Sequence, residues 1–142
     1  MKRISAFALS LAVLAGCTET SGSGSSGFVT TGGIRVNPVS AEVFEVAARP
    51  NLNMYNALWC GAGNYAGQAL GAPATARIYV VGEAGPGYTS ESRDAAQFSL
   101  KPPGQAVGAS GRKGTWGPRL GEDEFVGDAR YYCSKLRFGM AF

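Results

Sequence analysis

At 142 residues the chain has room for one domain with a real core and too little for two of ordinary size. Hydrophobic residues at 45% against 16% charged exclude wholesale disorder, and 21 glycines disfavour long helices and point to a loop-rich architecture. The formal net charge of +3 includes Lys2 and Arg3; setting aside the first sixteen residues leaves about 11 basic against 10 acidic groups, which excludes an electrostatic case for a nucleic-acid partner.

Lys2 and Arg3 lead an apolar run from Ile4 to Ala15, interrupted by Ser5 and Ser10 and closed by small residues. This order of charge, apolar run and small residues is that of a secretory signal, and the run is too short for a membrane span. No later stretch approaches 18 consecutive apolar residues, the least a spanning helix needs.

The four residues Leu14, Ala15, Gly16 and Cys17 resemble the lipobox of bacterial lipoproteins. That resemblance implies a signal peptide over residues 1–16, cleavage before Cys17, a diacylglyceryl group on its thiol and often an acyl chain such as palmitate on its new amine. Each buried acyl CH₂ is worth roughly 0.8 kcal/mol, so two or three chains hold a soluble domain at a bilayer. Thr18 stands where Asp resembles an inner-membrane retention signal, so the implied destination is the periplasmic face of the outer membrane rather than the inner membrane. Ser21 to Gly27 contains only Ser and Gly, and residues 17–27 read as a lipid-anchored linker, the Ser/Gly part reaching on the order of 15 Å.

Residues 28–142 read as a single small domain. "GGIRVNPVS" is a short extended stretch, and "AEVFEVAA", bracketed by Pro38 and Pro50, predicts a strand over 42–48. "NLNMYNALWCGAGNYAGQALG" predicts a helix, with Asn51, Asn53 or Asn56 as N-cap and Gly71 just past its end. Trp59, Ala62, Ala66 and Leu70 recur at helical spacing, as do Gly63, Gly67 and Gly71, which would leave one face open to a close backbone neighbour.

"ARIYVVGE" is the clearest strand, and "AAQFSL" a second that pairs with it across the turn-rich "AGPGYTSES". Lys101 to Gly121 holds six glycines and three prolines and predicts a long irregular excursion. "GEDEFVGDARYYCSKL" predicts a helix opened by Glu122, Asp123 and Glu124, with Phe125, Ala129, Tyr132, Cys133 and Leu136 on one face. The alternating Leu136, Phe138, Met140 and Phe142 predict a closing strand or a frayed tail; the rest of the chain lacks the repeated segments of an outer-membrane barrel.

With Cys17 assigned to lipid, Cys60 and Cys133 remain as an even pair in an exported chain, and a disulfide is expected between them. The chain has no His and no Cys-x-x-Cys spacing, which disfavours Cys60 as a nucleophile and a zinc site alike. "GAGNYAG" has the wrong spacing for a dinucleotide loop, and consecutive Glu122, Asp123 and Glu124 point in different directions for a cation site. No catalytic residue, metal or cofactor is therefore expected.

One surface-like feature stands out: Arg112, Lys113 and Arg119 surround Trp116 in a glycine-rich loop, a pattern able to meet an anionic glycan or a lipid headgroup. The alternative is that Trp116 folds onto the core and the cations are solvated. "VFEV", "WCGAGNYA" and the late Cys133 together resemble a group of short uncharacterised alphaproteobacterial proteins, which implies no activity.

The expectation is an α+β domain, a small antiparallel sheet packed by two disulfide-joined helices. Its expected role is that of a non-enzymatic envelope lipoprotein, structural or accessory in binding. The alternative is a module that takes an anionic glycan or headgroup through the Trp116 loop. Its partners would be the membrane, through the lipid, and an envelope protein or glycan.

Overall fold

A computed structural model describes residues 27–30 and 32–138, with side chains as far as Leu136. Cys17, its lipobox and the linker up to Ser26 lie outside the described residues. Six strands, β1 (Phe28–Val29), β2 (Arg35–Pro38), β3 (Val43–Ala47), β4 (Arg77–Gly85), β5 (Ala95–Ser99) and β6 (Asp123–Phe125), form one sheet. Its order is β1-β2-β3-β5-β4-β6, and every neighbouring pair is antiparallel. Two helices, α1 (Met54–Asn64) and α2 (Val126–Phe138), complete the α+β fold.

Alternation along the strands splits the sheet into two buried faces. On one, Val36, Phe44, Val46, Ile78, Val80, Ala96 and Phe98 pack against Leu58, Trp59, Ala62 and Ala66 of the first helical segment and Val126, Ala129 and Leu136 of α2. On the other, Val43 and Val81 meet Ala106 of the long excursion, while Glu45, Gln97 and Ser99 of the same face are also buried. That excursion, residues 101–121, is irregular as expected, and it serves as the lid of the second face.

Asn53 is the N-cap of α1, its side chain accepting from the Asn56 N–H at 3.1 Å. After Asn64 the helix widens into one π-helical turn, Tyr65–Ala69, and stops at Gly71 with φ +66°. The extra residue of the wide turn shifts the phase, so Leu70 is exposed instead of continuing the buried stripe of Trp59, Ala62 and Ala66. The expected glycine face forms in part. A Cβ on Gly63 would lie 2.5 Å from the Arg130 nitrogen and one on Gly67 3.3 Å from the Arg130 guanidinium, whereas Gly71 has nothing within 4 Å.

The strand expected over 42–48 spans Val43–Ala47. The C-terminal expectations need two corrections. Asp123, Glu124 and Phe125 do not open the helix; they form β6 against Arg77 to Tyr79, and the helix begins at Val126. The edge of β4 offers ladder partners there, and it outweighs the helix-dipole preference of the acids. Phe125 consequently leaves the helix face and lies under the Arg77 guanidinium, 4.3 Å from Cζ to ring centroid. Leu136 and Phe138 belong to α2, not to a closing strand, and residues 139–142 lie outside the described ones.

Beyond β6, the rest of the β4 edge is covered by the chain's own loop. Gly111 N–H donates to the Val81 carbonyl at 3.0 Å, Glu83 N–H to that of Arg112 at 2.8 Å, and Gly121 N–H to that of Val80 at 2.9 Å.

Candidate functional site

Cys60 and Cys133 are bonded, with Cα atoms 4.7 Å apart across a sequence separation of 73. The bond joins the middle of α1 to α2. The Asn64 side-chain amide, one turn beyond Cys60, donates to Cys133 Sγ at 2.8 Å. Both described cysteines are thus consumed, and neither is a free thiol.

The glycine-rich loop is organised by a carboxylate that the sequence does not advertise. Glu83 of β4 is buried, and its oxygens accept from the Gly114 N–H at 3.1 Å, the Leu120 N–H at 3.0 Å and Arg119 Nη1 at 3.1 Å. The backbone N–H groups of Leu120 and Gly114 hold its carboxyl below the usual carboxylate range, against the opposing effect of burial, with Arg119 assisting. Arg119 further donates to the carbonyls of Gly114 at 3.2 Å and Thr115 at 3.4 Å, so its charge closes the loop on itself.

Arg112 turns the other way. Its guanidinium donates to the carbonyls of Glu83 at 3.0 Å, Pro86 at 2.6 Å and Ala95 at 3.0 Å, bracketing the end of the β4–β5 hairpin, and it stands 5.2 Å from the Tyr88 ring centroid. Trp116 is half-buried and packs on the helix-side core. Of the four residues singled out in the loop, Lys113 alone is an exposed cation with no side-chain hydrogen bond or ion pair among the described residues. The loop therefore places Arg112 and Lys113 at the hairpin end, Trp116 against the core and Arg119 on Glu83.

A second buried carboxylate holds the hairpin loop. Glu45 of β3 accepts from the backbone N–H of Tyr88 at 2.9 Å, that of Thr89 at 2.9 Å and the Thr89 hydroxyl at 2.7 Å. This leaves Tyr88 displayed on the surface, 63% exposed. An acid at a central strand position flanked by Phe44 and Val46 is the only trace of this in the sequence, and alternation alone reads it as solvent-facing.

A third cluster sits where α1, α2 and β6 meet. Tyr55 donates to Glu122, Tyr132 donates to Glu124 at 3.2 Å, and the two rings meet edge to face at 5.9 Å. Burial first, and the adjacent glutamates with it, push both phenols above their ordinary range, so neither supplies a base near neutral pH. Lys135 lies over the Tyr132 ring at 4.5 Å, and the buried Trp59 Nε1 makes no hydrogen bond among the described residues. The cluster clamps the two helices to the sheet edge.

Among the described residues no group of three His, Cys, Asp or Glu side chains is arranged to hold a metal ion, and no helix is long and apolar enough to cross a membrane. The chain matches no family model, no curated protein and no solved structure.

Proposed function

We propose that this protein is a lipid-anchored component of a bacterial envelope, tethered through Cys17 at the periplasmic face of the outer membrane, with a non-enzymatic structural or accessory binding role. One observation carries the reading. The Cys60–Cys133 bond takes two of the three cysteines into a covalent link that persists in oxidising compartments, which leaves Cys17 as the cysteine available for lipid. The engagement of the buried carboxylates supports the non-enzymatic part. Glu45 and Glu83 are engaged by backbone and side-chain donors and organise loops.

The test is Cys17→Ser in cells fed labelled palmitate. The parent is expected to take up label and to sediment with outer-membrane fractions, and the variant to be unlabelled and released into the soluble fraction. Unchanged label and fractionation would overturn the reading.

A further inference from the structure

The sheet register gathers at one end of the molecule positive charges that have no ion-pair partner among the described residues. Arg35 stands opposite Val29 and Ala47, Ala47 opposite Ala95, and Ala95 opposite Gly85, so these residues form one row across the sheet. Just past that row, β3 runs on to Arg49 while β5 is entered from Arg93, and the Ala48 N–H donates to the Asp94 carbonyl at 2.9 Å, extending the ladder. Arg112, bonded to the carbonyls of Pro86 and Ala95, and its neighbour Lys113 join the same end.

None of these five cations takes part in an ion pair among the described residues. The acids nearby in the chain are Glu91 and Asp94, since Glu45 and Glu83 are buried and engaged. At the opposite end the cations are neutralised: Lys101 pairs with Glu42 and Arg77 with Asp123. The basic end also shows Tyr88, 63% exposed, and Val29, 51% exposed. An aromatic ring carrying a hydroxyl, set among cations, suits the boundary between headgroups and acyl chains.

The first strand lies next to Arg35 and runs toward this end, so the chain before Phe28 approaches from the side of Asn37. Phe28, packed edge to face on Tyr65 at 5.5 Å, lies opposite Val36, one position from Arg35 in the ladder. Nine residues, Thr18 to Ser26, lie between Cys17 and Gly27, and a chain of that length spans at most about 35 Å, so a lipid on Cys17 would keep this end within reach of the bilayer that holds it.

We infer that the end of the sheet formed by Arg35, Arg49, Arg93, Arg112 and Lys113, with Tyr88 at its surface, docks on anionic phospholipid headgroups. The inference deepens the lipid-anchored reading and rests on it for the identity of the bilayer. Docking fixes the orientation of the domain, turning the neutralised end toward the periplasm.

The test uses the mature chain from residue 17 with Cys17→Ser, so that no acyl chain contributes, mixed with phosphatidylcholine vesicles with and without phosphatidylglycerol. Binding is expected to the anionic vesicles alone, to fall as salt is raised, and to weaken at least about thirtyfold in Arg35→Glu/Arg93→Glu. Lys101→Glu at the far end should bind as the parent does. Circular dichroism and an intact disulfide on a non-reducing gel confirm that the variants fold.

Equal sedimentation with both vesicles, no difference between the double variant and the parent, or retention on a soluble anionic glycan with none on vesicles would each overturn it. Palmitate labelling of Cys17 is read separately, so a failed anchor and a failed docking face give different results.

Discussion

Glu83 shows how much of this fold hangs on a single side chain. Its carboxylate gathers two backbone N–H groups and a guanidinium from a loop with little regular structure of its own. Because its folded-state pKa is depressed, the stabilisation is present above the unfolded value near pH 4.3 and is lost as pH falls through the lower folded value. Tyr55, Tyr65 and Tyr132 bound the other side. Their phenols are raised, chiefly by burial, so their contribution holds below about pH 10 and is lost as pH climbs above it. Urea midpoints measured across pH should therefore fall at both extremes. Glu83→Gln should lower stability by about 2 kcal/mol at neutral pH and flatten the acid limb, because the remaining amide oxygen accepts more weakly from the same donors. Gly63 is the second sensitive residue: Gly63→Ala drives a Cβ into the Arg130 and Ala129 backbone and should cost about 2 kcal/mol or more in a denaturation series. Gly71→Ala meets no neighbour and should cost only about 1 kcal/mol, through its positive φ.

Elements were legible where one local signal dominated. An asparagine cap followed by an apolar stripe pointed to α1, although Asn51, Asn53 and Asn56 competed for the cap position that Asn53 takes, and the β-branched and aromatic run Ile78 to Val81 pointed to β4. Asp123 to Phe125 was not legible: acidic residues before an apolar helical face state a helix start, and nothing local reports that Arg77 to Tyr79 needs a partner strand. The wide turn at Tyr65–Ala69 was hidden for a similar reason, since a single inserted residue leaves the spacing of the apolar residues before it intact. The disulfide belongs to this scale, because it joins two helices rather than two loops. In the chain-entropy account a closed loop of this length contributes about 4 kcal/mol. Cys60→Ser/Cys133→Ser should lower unfolding stability by roughly that amount, and dithiothreitol should shift the parent to the same midpoint while leaving the variant unchanged.

For the whole molecule, the sequence carried the fold class but not the distribution of charge over its ends. The loop around Trp116 could be seen as basic, yet its cations divide between Glu83, the hairpin carbonyls and solvent according to a topology in which β5 sits between β3 and β4. Arg35, Arg49 and Arg93 are 14 and 44 residues apart in the chain. Their gathering at one end is a property of register, which no window of sequence displays.

The short edges of the sheet bear on how many copies can share a surface. One edge is the two residues of β1, and the other is the three of β6 followed by a loop already bonded to β4. Anchored proteins meet one another in two dimensions, where local concentration is far higher than in free solution and exposed strand edges invite sheet-to-sheet joining. If the domain is held at a membrane as proposed above, the described residues offer little unpaired strand backbone, and neighbouring copies are expected to collide and part as separate molecules.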